Sequence, residues 1–189
     1  MISDDKITEI YCKADDFCKI FQEYIRRKGL EPQKQTRKYH REPTMSDPEV
    51  MTILIAFHLS GHRCLKHFYL YYVKTHMVHL FPKTVSYNRF VELERVVALP
   101  LLLFLMKGLM GKCTGISIID STPLRVCLNQ RIAIHKVFKG IAQRGHCSMG
   151  WFYGFKLHLI CNEKGELLNF MLTPGNVDDR EPLNNNPQS

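Results

Sequence analysis

From the first residue to about residue 30, Ile7, Ile10, Tyr11, Ala14, Phe17, Cys18, Phe21 and Ile25 recur at three- and four-residue spacing. That period lays apolar side chains along one face of an α-helix, and Gly29 marks its end. The stretch "EPQKQTRKYHREPTM" that follows is polar, basic and punctuated by Pro, and reads as a linker or exposed arm. In "SDPEVMTILIAFHLSG", Ser46 stands three residues before Glu49 with Pro48 between them, a capping-box pattern that predicts a helix from about 47 to 59, stopped by Gly61. A further helical stretch, "LKHFYLYYVKTHMVHLF", ends near Pro82. Another, "SYNRFVELERVVALPLLLFLMKGLM", opens on Ser86 as N-cap. Residues 1–110 are therefore expected to form a helical region.

The longest apolar run, "VVALPLLLFLM", is interrupted by Pro100. As a helix it covers roughly 17 Å, well short of the ~30 Å hydrocarbon core, and reads as a buried helix rather than a membrane span.

After Gly111 the period changes. "ISIID" and "PLRVC" read as short strands, the first buried. "YGFKLHLICNEKGELLNFMLTPG" reads as a hairpin in which Phe155, Leu157 and Leu159 alternate with Lys156, His158 and Ile160, and "NEKGE" makes the turn. Helices first and a sheet afterwards predict an α+β chain, with the sheet domain over 111–183 and a polar, disordered tail over 184–189.

The formal charge is +8, from 26 Lys and Arg against 18 Asp and Glu. This balance favours a polyanionic partner, nucleic acid before an anionic membrane surface. The acidic N-terminus has no apolar core segment of the secretory kind, and the seven Cys include no CxxC pair. Both features suit reduced thiols and a cytoplasmic location.

Asp120 closes the Ile-rich run in "GISIIDSTPLRVC". It is either a turn residue or a carboxylate fixed on a strand to hold Mg²⁺ beside a phosphodiester. From Ser121 to Asn162 no Asp or Glu occurs, while Arg125, Arg131, Lys136, Lys139, Arg144 and Lys156 all do, the pattern of a phosphate track. Gly140, Gly145, Gly150 and Gly154 allow close backbone approach, and Trp151, Phe152 and Tyr153 could stack on unpaired bases or anchor a solvated loop. A second basic run, Arg26, Arg27, Lys28, Lys34, Arg37, Lys38 and Arg41, is a solvated face or a DNA-backbone contact, and a helix-turn-helix fits somewhere in 47–95. His58, His62, Cys64 and His67 are the weaker candidates for a metal, because Gly61 breaks the helix between the first two and there is no Cys pair. Asp178 and Asp179 open a helix as N-cap residues, or Asp179 is a second metal carboxylate.

The segments "SIIDSTPLRVC", "HKVFKGIAQRG" and "SMGWFYGFKLHLICNEKGELLNFMLTPGNVDDREPL", with "SDPEVMTILIAFHLSG" and "SYNRFVEL" upstream, together resemble bacterial insertion-sequence transposases of the DDE type. The resemblance runs from about residue 5 to Leu183. It implies an RNase H-like catalytic domain behind a helical DNA-binding region, with Mg²⁺-dependent cleavage and joining of DNA at the ends of a mobile element. Asp120 matches the family's first catalytic carboxylate. The second and third lie further on in the family, so the chain is expected to be an N-terminal portion, inactive alone, whose incomplete mixed sheet has an open edge and poor solubility. The alternative is a non-catalytic DNA-binding remnant that occupies element ends or joins full-length enzyme in a homo-oligomer. Where relatives carry His or basic residues in "CLNQRIAIHK" and Lys at position 146, this sequence has Leu128, Ala133, Ile134 and His146.

Overall fold

Ser3 accepts a hydrogen bond from Lys6 N at 3.3 Å and starts α1 (Asp4–Arg27), with Asp4 and Asp5 at the positive end of the helix dipole and Arg26 and Arg27 at the negative end. The computed structural model describes residues 2–29 and 43–179 of the chain, which divides into two compact units, Met1–Gly108 and Leu109–Ser189.

In the first unit, α1 buries Ile7, Ile10, Ala14 and Cys18, the face its spacing predicts. The capping box at α2 (Asp47–Leu59) is closed from both sides: Ser46 Oγ accepts from Glu49 N at 3.4 Å, and Glu49 Oε2 accepts from Ser46 N at 2.7 Å. This helix buries Val50, Met51, Ile53, Leu54 and Ala56 and forms the centre of the core. A helical stretch over 65–76, α3, is wound as a π-helix at Phe68–Val73. Its Tyr69 ring stacks 4.3 Å from Phe90, and its hydroxyl donates to the Val85 carbonyl at 2.9 Å. Ser86 caps α4 (Tyr87–Phe104) by accepting from Arg89 N at 3.4 Å.

The long apolar run within α4 is not buried all round. Val97, Pro100 and Phe104 enter the core, whereas Val96, Leu99 and Leu102 are exposed. Among the described residues of this unit only one face of the helix meets other helices, and apolar composition alone does not create a second layer to cover the other.

The second unit holds four antiparallel strands, β1 (Ser117–Cys127), β2 (Gln143–Cys147), β3 (Gly150–Asn162) and β4 (Leu167–Pro174). β3 is central, with β1 along one side and β4 and β2 end to end along the other. "ISIID" and "PLRVC" belong to one continuous strand that runs through Pro123. Among the described residues β1 pairs with β3 alone, and an edge strand tolerates the missing proline N–H. Burial of the Ile run is not observed: Ile116, Ile118 and Ile119 are 63%, 57% and 40% exposed. An unbroken apolar run is covered on both faces only when layers pack on both sides of the sheet, and the described residues supply no such cover for β1.

The Gly- and aromatic-rich stretch is mostly a hairpin, not a loop. β2 and β3 join through Ser148 and Met149. Gly145 and Gly154 do give close backbone approach, but to the sheet itself: a Cβ on Gly145 would overlap the Gly175 carbonyl, and one on Gly154 would overlap the Leu124 carbonyl. The β3–β4 turn lies where predicted. Asn162 builds it, its Oδ1 accepting from Lys164 N at 3.0 Å and Glu166 N at 2.9 Å.

Candidate nucleic-acid interface

In an antiparallel pair, residues opposite each other share a face and successive residues alternate. Asp120 lies opposite Leu159 and Thr122 opposite Leu157, whereas Ser121 lies opposite His158 and Pro123 opposite Lys156. Arg144 lies opposite Tyr153 and His146 opposite Trp151. Asp120, Arg144, His146 and Trp151 therefore occupy one face of the sheet, and Ser121, Lys156 and His158 the other.

The segment between β1 and β2 packs onto the Asp120 face. His135 meets Tyr153 edge-on with centroids 6.2 Å apart, and Phe138 meets Phe155 edge-on at 5.5 Å. This segment carries Arg131, in the 3₁₀ turn Asn129–Ile134, and then Lys136 and Lys139, all exposed. His135 and Phe138 belong to no motif of their own, yet their ring contacts bring those cations to this face. Beside the turn is an open hollow of about 480 Å³ lined by Val126, Cys127, Leu128, Arg131, Ile134 and His135.

Asp120 is exposed, and its Oδ1 accepts from Ser121 N at 2.8 Å. Arg125, opposite Gly154, is exposed on the far face. Lys156 is buried at 7% exposure, and its ammonium donates to Asp179 Oδ1 at 3.0 Å and to the Val177 carbonyl at 2.9 Å. The expected alternation of β3 is thus inverted at this point: Lys156, His158 and Asn162 face the covered side. Their equal parity, matched by Thr173 opposite Lys156, was the available signal of a buried polar row inside an apolar hairpin.

His158 is 2% exposed, its Nε2 lies 2.8 Å from Thr173 Oγ1, and its Nδ1 has no hydrogen-bond partner among the described residues. Burial pushes this imidazole below its ordinary pKa, with the Asp179 charge opposing and the Lys156 charge reinforcing. Hydrogen bonding from Lys156 holds the Asp179 carboxyl below the usual carboxylate range, and Ser121 contributes in the same direction. Ser121 lies on the face opposite Asp120, so Asp120 and Asp179 do not converge.

Arg37, Lys38 and Arg41 lie outside the described residues. His62 Nδ1 lies 2.8 Å from Ser60 Oγ, and the His62 ring packs on Phe68 and Tyr72. Among the described residues no helix is long and apolar enough to cross a membrane.

Residues 110–188 match the family described as Transposase DDE domain. Over these residues the second unit is similar to that family. No curated protein and no solved structure matches the chain. The DDE domain has DNA as its substrate, and helices followed by an antiparallel sheet fit the α+β class and part of an RNase H-like domain. The family uses a divalent metal. Among the described residues no group of three or more His, Cys, Asp or Glu could hold one. Asp120 is a hard oxygen donor on a rigid strand, but Leu159 and Thr122 beside it on its face add no carboxylate, so these residues alone do not complete a hard-cation site.

Proposed function

We propose that this chain is the N-terminal portion of a cut-and-paste transposase of a bacterial insertion element, and works in the cytoplasm on element ends and target DNA. Asp120 is the first carboxylate of its Mg²⁺ site, and the 189 residues alone bind DNA without cleaving it. The observation that supports this most is the sharing of one sheet face by Asp120, Arg144 and the segment bearing Arg131, Lys136 and Lys139. A carboxylate and exposed cations spaced along one surface suit a DNA backbone that runs along it. A second copy is the candidate protein partner, and the exposed Val96, Leu99 and Leu102 on α4 give it an apolar surface to meet.

The other reading, a DNA-binding remnant that needs no metal, draws on the separation of Asp179 from Asp120. Two measurements decide. In duplex-DNA binding followed by anisotropy, affinity should fall steeply between 50 and 200 mM salt, by about 10³-fold for six phosphate contacts. An affinity indifferent to salt would remove the phosphate-track reading. In a Mg²⁺ cleavage assay on element-end DNA, no nicking is expected from this chain; nicking that disappears in Asp120→Ala would show the chain to be a complete catalyst. Binding unchanged both by Mg²⁺ and by Asp120→Ala would favour the remnant.

A further inference from the structure

Of the three aromatics in "GWFYG", Phe152 is buried at 1% and Tyr153 at 9%, whereas Trp151 is 67% exposed. Trp151 sits two residues after the turn of the β2–β3 hairpin, and the turn residue Met149 is 77% exposed. The His146 ring meets the indole edge-on, centroids 5.2 Å apart. The hairpin tip is also tied to the hollow described above, because Asn129, in the same 3₁₀ turn as Arg131, donates from Nδ2 to the Trp151 carbonyl at 3.0 Å. A large aromatic held this exposed on a paired strand forgoes burial that its neighbour Phe152 obtains.

We infer that the hairpin tip is a binding site for an unpaired DNA base, with Trp151 as the stacking surface and the adjoining hollow as the space that receives the nucleotide. This deepens the DNA-binding reading and rests on it. Charge supports DNA as the occupant: Arg131 lines the hollow and Arg144 stands on the same face two residues before His146, both exposed, with no acidic side chain between Ser121 and Asn162. Base–aromatic stacking tolerates any sequence, because every base offers a π-face. The volume of about 480 Å³ lies within the range of small-ligand pockets. Eight residues of β3 separate Trp151 from Leu159, the partner of Asp120. At ~3.4 Å per residue this puts the platform roughly 27 Å from the carboxylate, about eight base-pair steps of B-form DNA. The site would grip DNA away from the cleaved bond, where distortion of the duplex exposes a base.

Trp151 is the sole tryptophan of the sequence, so its emission reports on this site alone. The full chain is titrated with two labelled duplexes of equal length, one fully paired and one with a single-base bulge, following tryptophan emission and label anisotropy together. The bulged duplex should quench the emission and bind more tightly. Trp151→Ala should lower its affinity by about 5- to 100-fold and erase the preference, and Trp151→Phe should restore most of it. Binding by anisotropy with unchanged emission, or an equal loss on both duplexes in Trp151→Ala, would overturn the stacking site while leaving the DNA-binding reading intact. If neither duplex binds at low salt, both fail.

Discussion

The ammonium of Lys156 lies 3.0 Å from Oδ1 of Asp179, joining the middle of β3 to the segment that leaves β4. The lysine side chain is 9% exposed and the aspartate 59%, so the two ends of this pair are unequally desolvated. The carboxylate that looked available as a second metal ligand is thus engaged on a lysine that looked available for DNA.

That asymmetry orders two substitutions. Asp179→Ala leaves a buried ammonium on the Val177 carbonyl and should cost about 1–3 kcal/mol, below the range for a fully buried pair because the carboxylate is half in water. Lys156→Met removes the buried charge itself and should cost less. Urea unfolding of both variants checks the order, and a greater loss in Lys156→Met would contradict it.

The same cluster sets a dependence on pH. The folded pKa of Asp179 lies below its unfolded value, so its contribution is complete above about pH 4 and lost as pH falls through the folded pKa. His158 is also depressed: its contribution is complete above about pH 6.5 and is lost as pH falls from there through its folded pKa. Stability should therefore decline in two stages on acidification. His158→Gln should remove the first stage and Asp179→Asn the second, read from urea midpoints between pH 8 and pH 3. A wild-type midpoint flat from pH 7.5 to pH 5 would rule out the buried neutral imidazole.

Gly154 and Gly140 should respond differently to alanine. At Gly154 the new Cβ overlaps the Leu124 carbonyl within the β1–β3 ladder, so a loss of about 3 kcal/mol or more is expected, with faster amide exchange along β1. At Gly140 no atom of the described residues lies within 4 Å of the new Cβ, and the cost, about 1 kcal/mol, comes from its φ of +85°. Equal costs at the two sites would refute the steric account.

Exposure divides the basic residues into two groups for DNA binding. Arg144→Ala and Arg131→Ala should each lower the slope of log K against log salt by about 1, the share of one phosphate contact. Lys156→Met should leave that slope unchanged, because its ammonium is already held by Asp179. A drop in slope for Lys156→Met equal to that for Arg144→Ala would mean that the ion pair opens on DNA.

Local chemistry decided the helix starts at Ser46 and Ser86, the turn at Asn162 and the α+β order, because capping, hydrophobic period and turn formation involve residues close in the chain. Asp120 and the basic stretch after it were legible for a similar reason: charge composition needs no fold to be counted. Which face each residue joins depends on strand register and on the layer that covers the strand, both of which arise from residues far apart. Register put Asp120 with Arg144 and Trp151 and moved Lys156 to the other side. Packing left the Ile run of β1 exposed and gave Phe152, not Trp151, to the interior, because burial belongs to whatever lies across the sheet and not to the side chain alone.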